Sequence, residues 1–401
     1  MKVLLVSQNF YPENFKSNDI AFELEKRGFE VEVLTAIPNY PKGKYFEGYG
    51  IFKRRIERVN NVKVYRSFQF PRGKGGHIQL ALNYFSFAFF ASVFGIILSF
   101  CKKYDCIIVH QTSPVTQGFP AVFIKKIQKI PIYFWVLDLW PDALLSGGGL
   151  KSKHVISLFE RIVRFMYENS KKILISSEGF RQSIGQKGEY QDKIIYFPNW
   201  SLDFKQMPSD IQIPSLPSGF VIMLAGNLGV SQDLEAVLNL AIRLKDTKGV
   251  RIVLIGDGSM KAWIDEKIIE NKLRDILFTF GQFPIESMSA FYNAANAMLL
   301  TLGGKYEDLS LYVPARLQSY MSSGKPVLAM INGACKDLIA TANCGYAVNA
   351  GDYSSLAKII EEIILPDPDT FDKLGQNGRN YFEGYFRKDS CINNLCKIIN
   401  K

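Results

Sequence analysis

Pro314-Ala315-Arg316-Leu317-Gln318-Ser319-Tyr320-Met321-Ser322-Ser323-Gly324-Lys325-Pro326-Val327 decides how this chain is read. Pro314 suits the start of a helix, where its missing N–H would be unpaired anyway, and Gly324 suits the cap that ends one. Pro326-Val327 then opens a strand, so the stretch predicts a helix over Ala315–Ser322 followed by a strand over Pro326–Ala329. Arg316 falls in the first turn, where the helix dipole disfavours a cation unless an anion lies beside it. A diphosphate would be such an anion.

Working outward, short apolar β-branched runs alternate with amphipathic stretches of helical period, the pattern of parallel sheets covered by helices on both faces. Strands are expected at 3–7, 31–35, 62–66, 106–110, 132–136, 173–176 and 194–197, then at 220–225, 251–255, 277–280, 297–301, 326–329 and 345–348. Helices are expected at Ser231–Leu244 and Met260–Asn271. Pro198-Asn199-Trp200 and a polar stretch with Pro208, Pro214 and Pro217 read as a linker between two halves. The expected class is α/β: two doubly wound Rossmann-like domains, residues 1–199 and 200–380, facing a central cleft, with a C-terminal helix over 381–401 packing back toward the first domain. Open α/β sheets bind ligands beyond the carboxyl ends of their strands. Ala225-Gly226-Asn227-Leu228-Gly229 and Ile255-Gly256-Asp257-Gly258-Ser259 lie at two such ends. Each alone could be a plain turn, but together they suggest a floor of backbone amides for phosphate.

The chain has 401 residues, 47% hydrophobic and 21% charged, enough for two cores and inconsistent with a disordered or many-span membrane protein. Its six cysteines form no C-x-x-C pair and only His77, His110 and His154 could join them, so no structural zinc site is expected. Met1–Val6 reads as a buried strand and not a secretory signal, which points to a cytoplasmic location with reduced thiols. The net charge of +10 is concentrated between Lys42 and Lys74, with ten basic and two acidic residues.

Immediately downstream, Ile78–Phe100 runs 23 residues without a charge and carries six phenylalanines. Its length would allow a membrane span. Asn83, Ser86, Ser92 and Ser99 interrupt it, and it lies inside an unfinished α/β domain. A helix or hairpin in the membrane surface is therefore preferred over a buried helix or a span, with the basic run drawn to anionic lipid. A solvated basic face is the plainer alternative. Nucleic acid is disfavoured, because the basic run is not interleaved with aromatic residues.

The order Gly226-Asn227-Leu228-Gly229, Gly256-Asp257-Gly258-Ser259, Phe280-Gly281 and then the Pro314–Val327 stretch resembles the GT-B glycosyltransferases of family four. The first half agrees, with Ser7-Gln8-Asn9-Phe10-Tyr11-Pro12-Glu13, Pro38-Asn39-Tyr40-Pro41, His110-Gln111-Thr112-Ser113-Pro114 and Trp135-Val136-Leu137-Asp138-Leu139-Trp140-Pro141. The nearest branch is the WbuB-like and CapL-like transferases of O-antigen and capsule assembly, thought to add N-acetyl-L-fucosamine from its UDP form. The resemblance implies transfer from a UDP-sugar to a polyprenyl-diphosphate-linked saccharide at the cytoplasmic membrane face, with the anionic membrane surface as a further partner, with retention of configuration and with neither a metal nor another cofactor. Asp367-Pro368-Asp369 matches D-x-D formally but reads as a turn.

By that resemblance His110 meets the donor sugar, unless it is only a satisfied strand-end histidine. Asp138, at another strand end, is read as orienting the acceptor hydroxyl or the sugar, unless it only caps a turn, and Arg316, from its place in the helix first turn, as stabilising the leaving diphosphate. Lys16 and Ser17 belong to a loop that closes over the phosphates, unless Ser17 merely caps a helix. Gly226, Asn227, Gln232, Gly256, Asp257, Gly281, Pro314, Ala315, Gln318 and Ser319 make up the rest of the expected nucleotide-sugar site. The chain departs from the wider family in having Leu311 and Ser319 where two glutamates are usual, and Asn227 and Gln232 where an Arg and a Lys are usual. Arg316 is then the chief phosphate cation. A UDP-sugar 2-epimerase on the same fold and a catalytically silent membrane-associated assembly protein are the competing readings.

Overall fold

The computed structural model describes residues 1–144, 152–208, 211–304 and 307–400. The chain divides into two compact units, one of Met1–Phe197 with Ile392–Lys401 and the other of Pro198–Cys391.

In the first unit, strands β1 (Lys2–Val6), β2 (Glu30–Ala36), β3 (Ile56–Val59), β4 (Val62–Ser67), β5 (Cys106–Gln111), β6 (Ile132–Val136), β7 (Lys172–Ile175) and β8 (Ile194–Tyr196) form one sheet. Their order is β3-β4-β2-β1-β5-β6-β7-β8. All neighbours are parallel except β3 and β4, an antiparallel hairpin whose last pair is Val59 with Val62. The charges in Ile56-Glu57-Arg58-Val59 hide β3 from an apolar-run criterion. Its signal is the turn Asn60-Asn61, both residues at positive φ (47° and 67°), as a tight two-residue hairpin demands.

The second unit has a six-stranded, wholly parallel sheet of β9 (Phe220–Ala225), β10 (Val250–Ile255), β11 (Leu277–Thr279), β12 (Ala297–Thr301), β13 (Val327–Met330) and β14 (Gly345–Val348), in the order β11-β10-β9-β12-β13-β14. All six expected strands are present. In each sheet the winding reverses once, between β1 and β5 and between β9 and β12, and a crevice opens at such a switch point.

Several local expectations need correction. The helix expected from Ser231 begins at Leu234, after a short 3-10 turn over Val230–Gln232. Asp233 takes the left-handed conformation and its carboxylate accepts the Ala236 amide at 3.3 Å, so a carboxylate already occupies that helix start. Ser17 caps nothing. The helix Lys16–Lys26 has Phe15 at its N-cap, and Ser17 Oγ donates instead to the Asn9 carbonyl at 2.8 Å. The start of the supposed linker is packed: Trp200 and Phe204 are buried, and Asp203 accepts from Arg379 (Nη2 to Oδ2, 2.8 Å). The C-terminal region is two helices, Pro368–Tyr385 and Lys388–Ile399, and Asp369 lies in the first turn of the former, not in a turn between helices.

The uncharged segment forms one helix, His77–Cys101, and not a hairpin. It is long and apolar enough to cross a membrane, yet 44% of its most apolar window is buried within the protein. What it buries is unusual. Asn83, Ser86, Ser92, Gly95 and Ser99 face inward together with Phe87, Ala88, Ala91 and Leu98, while Ile78, Leu82, Phe85, Phe89, Val93, Ile97 and Phe100 are exposed. A helix on a water-washed surface has the opposite polarity. Asn83 fixes the inner face, donating to the Phe70 carbonyl at 2.6 Å and accepting from Gln8 Nε2 at 2.9 Å.

Candidate active site

In the second unit, Gly226 and Gly256 sit at the ends of adjacent strands β9 and β10 and touch. A Cβ on Gly256 (φ +140°) would lie 1.9 Å from the Gly226 carbonyl oxygen, and one on Gly226 (φ +129°) would lie 2.7 Å from Arg316 Nε. Only glycine fits at either place. Tyr320 sets this turn from behind: its buried hydroxyl accepts from the Ala225 amide (3.0 Å) and donates to the Ala225 carbonyl (3.1 Å). Tyr320 was not among the expected site residues, although it stands in the motif helix one turn after Arg316.

Arg316 reaches across to the loop after β9. Nη1 donates to Gln232 Oε1 at 2.6 Å, and Nη2 donates to the Asn227 backbone carbonyl. Asn227 and Gln232, the positions that depart from the wider family, thus hold the arginine. Gln232 is itself tied to the switch point, since its carbonyl accepts from Thr301 Oγ1 at the end of β12. The helix Ala315–Ser323 starts at Pro314, with no side-chain cap on its first amides among the described residues, and its positive end lies next to Arg316.

The other expected residues divide. Gly226, Asn227, Gly256 and Asp257 line a pocket of about 570 Å³, walled on its far side by Phe283, Pro284 and Ile285. Gly281 borders it through its carbonyl, which accepts the Gly256 amide at 2.6 Å. Asp257 turns its carboxylate to its neighbour, the Gly258 amide, at 2.7 Å. Gln318 is buried, and with its carboxamide turned so that the nitrogen faces the Pro314 and Ala315 carbonyls it donates to both at 3.0 Å at the helix start. Ser319 is engaged by Ser201 Oγ at 2.9 Å. A second pocket of about 380 Å³ opens beyond β12 and β13, lined by Gly303, Gly304, Ser310, Asn332 and Gly333.

In the first unit, His110 ends β5 at the switch point, only 1% exposed. Ser7 Oγ spends its one proton on the Asn9 carbonyl (2.8 Å), so the contact between Ser7 Oγ and His110 Nδ1 (3.1 Å) has the imidazole as donor. Nε2 is then an unprotonated acceptor, buried and without a hydrogen-bond partner among the described residues. Burial, with help from the charge of Lys16, lowers the imidazole pKa to about 3. The ring is neutral at any physiological pH, and an orphan buried acceptor calls for a partner such as a hydroxyl.

Asp138, beyond the end of β6, accepts from Ser113 Oγ at 2.8 Å, and Ser113 Oγ accepts in turn from Trp140 Nε1 at 3.2 Å. Burial raises the Asp138 pKa, and the hydrogen bonds from the Ser113 side chain and backbone oppose the rise. Tyr84 lies close enough that the Asp138 charge helps to raise its phenol pKa, although burial is the larger cause, and Arg72 donates to the Tyr84 hydroxyl at 2.9 Å. Ser113, Tyr84 and Arg72 were not expected here from the sequence.

One residue of the quoted motifs and one of the basic run prove to be buried and paired. Glu13 is buried and accepts from the Asn39 and Tyr40 amides (both 2.7 Å) and from Asn9 Nδ2 (2.9 Å), lashing the loop after β1 to the loop after β2. Arg66, counted above in the basic run, is fully buried and paired with Glu57. Removing one charge of each sign leaves the surface surplus of that run unchanged.

With this geometry in hand, comparison with known proteins assigns the class. Residues 17–200 match the glycosyl transferase 4-like domain and residues 210–381 match the glycosyl transferases group 1 domain. The chain belongs to the GT-B glycosyltransferases built from these two domains. It is 26% identical over 337 residues to the putative colanic acid biosynthesis glycosyl transferase WcaI of Escherichia coli K12, covering 79% of this chain and 77% of that one. Among solved structures, Anabaena Alr3699/HepE in complex with UDP superposes over the full length of both chains with a TM-score of 0.73 at 15% identity. The lipopolysaccharide outer core galactosyltransferase WaaB, in its apo form, superposes over 100% of this chain and 99% of that one, with a TM-score of 0.65 at 18% identity.

Proposed function

We propose that this glycosyltransferase moves a sugar, N-acetyl-L-fucosamine in the favoured reading, from its UDP form to a polyprenyl-diphosphate-linked saccharide during capsule or O-antigen assembly at the cytoplasmic membrane face. The observation that carries the reading is Arg316 at the start of the helix Ala315–Ser323, pressed on the Gly226 turn beside a 570 Å³ pocket that Gly226 and Gly256 both line. A cation, a helix N-terminus and close backbone suit a nucleoside diphosphate. That Alr3699/HepE was solved with UDP supports the nucleotide, and the colanic acid role in the WcaI name supports a polysaccharide product.

In this reading the second unit holds UDP, and the charge that builds on its β-phosphate as the glycosidic bond breaks is met by Arg316 and by the amides after Pro314. Fixed donors of this kind are aimed before reaction and need no reorganisation. In the first unit the neutral His110 Nε2 accepts a hydrogen bond from a saccharide hydroxyl. Asp138 accepts from another and orients it. The exposed apolar face of the helix His77–Cys101 rests in the lipid surface, with the basic run beside it on anionic headgroups.

Labelled UDP-sugars offered to membranes containing lipid-diphosphate-linked saccharides test this. The expected product is label extracted with the lipid and released by mild acid, with UDP formed in equal amount. Conversion of the UDP-sugar to an epimer without transfer would instead favour the epimerase, and no turnover would favour the silent assembly protein.

A further inference from the structure

Among the described residues of the first unit, a basic cavity lies beside the loop 69–75, and an apolar one opens on the exposed face of the helix His77–Cys101. The basic cavity, about 760 Å³, is lined by Lys42, Lys44, Arg54 and Arg58 with rings of Tyr11 and Tyr49. Two carboxylates, Glu47 and Glu57, also reach it, but Glu57 is engaged by the buried Arg66. Four cations therefore face one remaining carboxylate. Arg54 is held in place, its guanidinium 5.5 Å above the Tyr49 ring. The apolar cavity, about 450 Å³, is lined by Phe70, Ile78, Leu82, Phe85, Phe89 and Phe90.

The loop 69–75 is fastened to both. On the basic side, the Gly73 amide donates to the Gly43 carbonyl at 2.9 Å, the Arg72 amide donates to Asn39 Oδ1 at 2.9 Å, and Tyr45 Oη donates to the Gln69 carbonyl at 2.5 Å. A Cβ on Gly43 would lie 1.9 Å from the Gly73 oxygen, so these strands of chain are in direct contact. On the apolar side, the Phe70 amide donates to Ser86 Oγ at 3.0 Å and the Phe70 carbonyl accepts from Asn83. The Phe70 ring meets Phe68 edge-on at 5.1 Å, and Phe68 meets Phe90 at 5.0 Å. The loop 69–75 thus ties the chain segments that wall the two cavities together.

We propose that these cavities form one site for a prenyl diphosphate, the diphosphate among Lys42, Lys44 and Arg54 and the first isoprene units along Phe70, Phe85 and Phe89. The proposal rests on the reading of the acceptor as lipid-diphosphate-linked and assigns that acceptor's anchor to residues. Charge chooses the head: a diphosphate carries more than one negative charge, and charge-assisted hydrogen bonds to phosphate are stronger than neutral ones. Shape chooses the tail, because a wholly apolar groove beside the cations suits a hydrocarbon attached to the anion and leaves a free anion nothing to bury.

The test uses the full-length protein with saturating UDP, so that the nucleotide site is filled, and titrates farnesyl diphosphate and inorganic diphosphate calorimetrically. Farnesyl diphosphate is expected to bind at least about tenfold more tightly, since even a few buried methylenes contribute that much. The double variant Lys42→Ala/Arg54→Ala should weaken both probes, whereas Phe85→Ser/Phe89→Ser should weaken farnesyl diphosphate alone and erase its advantage. All four positions are on the surface, and unchanged UDP binding reports an intact fold. Equal affinity for the two probes, or farnesyl binding indifferent to the phenylalanine changes, overturns the proposal. Binding to phosphatidylglycerol vesicles without binding to farnesyl diphosphate also overturns it, in favour of a plain lipid surface. Failure of the functional reading looks different: UDP binding and transfer are absent while farnesyl diphosphate still binds.

Discussion

Arg316 donates to the Gln232 carboxamide oxygen at 2.6 Å, so the cation at the start of the motif helix is oriented by a neutral side chain. A neutral partner holds the guanidinium without cancelling its charge. Arg316→Ala should weaken UDP binding and slow transfer, with about 2 to 4 kcal/mol lost in the transition state by comparison with removal of one oxyanion donor. Arg316→Lys should recover only part, because a point charge cannot reproduce the planar fork. Gln232→Glu should also weaken UDP, since a carboxylate there competes with phosphate for the same cation. Calorimetric titration with UDP and initial rates would check all three, and normal UDP binding by Arg316→Ala would place the phosphates elsewhere.

His110 gives a pH prediction whose sign is fixed by its lowered pKa. The unfolded imidazole takes a proton near pH 6.5 and the folded one only near pH 3, so between these values the unfolded state binds more protons. The stability that His110 contributes is fully present above pH 6.5 and is lost as pH falls toward 3. Urea denaturation of the wild type and of His110→Asn should therefore show a wild-type stability that falls more steeply on acidification. In nitrogen-15 spectra the His110 ring should remain the Nδ1–H tautomer from pH 5 to pH 8.

Ser113→Ala should raise the pKa of Asp138 further, because it removes a hydrogen bond that favours the ionised carboxylate while burial remains. If transfer needs the carboxylate, the acid limb of the kcat/KM profile moves to higher pH. The rate on the alkaline plateau should change less than the position of the limb.

Tyr320→Phe removes both hydrogen bonds to Ala225 and leaves a buried amide and carbonyl short of a partner. A loss of about 1 to 3 kcal/mol in unfolding free energy is expected, from the cost of an unsatisfied buried polar group. UDP affinity should fall with it, since Gly226 is the next residue. Urea titration and calorimetry would measure the two effects separately.

Phe89→Asp and Val93→Asp, on the exposed face of the helix His77–Cys101, should abolish flotation with phosphatidylglycerol vesicles while leaving UDP binding unchanged. Salt should weaken wild-type flotation, as exposed charges are screened over about 8 to 10 Å near physiological ionic strength. Protein that only detergent releases from membranes would indicate insertion deeper than the surface.

Most of the scaffold could be read directly, because strands buried on both faces are uninterrupted apolar runs and the Gly and Pro residues that end elements are local signals. β3 escaped because each of its two faces carries one charged residue, Arg58 on one and Glu57 on the other, and its evidence is a turn. The helix start at Leu234 escaped because Asp233 needs a left-handed conformation that nothing in its neighbours announces. At the candidate site, the placement of His110 and Asp138 at strand ends, of Arg316 in a helix first turn and of the glycine turns after β9 and β10 was legible from the sequence. What Arg316, Ser319, Gln318 and Tyr320 touch was not, since partners such as Gln232, Ser201 and Ala225 are distant in sequence and meet only through sheet topology. The inward-facing serines and outward-facing phenylalanines of the long helix share one composition with any apolar helix, and only packing tells the faces apart.

The return of Ile392–Lys401 to the first unit bears on how the protein is made. Arg27 Nε donates to Asn393 Oδ1 at 3.1 Å, and Tyr133 Oη donates to the Ile399 carbonyl at 3.4 Å, so residues near the start of the chain wait for partners that the ribosome adds far later. The second unit, drawn from one continuous segment, has no such wait. Domains emerging from the ribosome usually complete themselves in order of synthesis. Here the unit synthesised first is the one completed last, and shaving the final ten residues would injure the domain that was translated at the beginning.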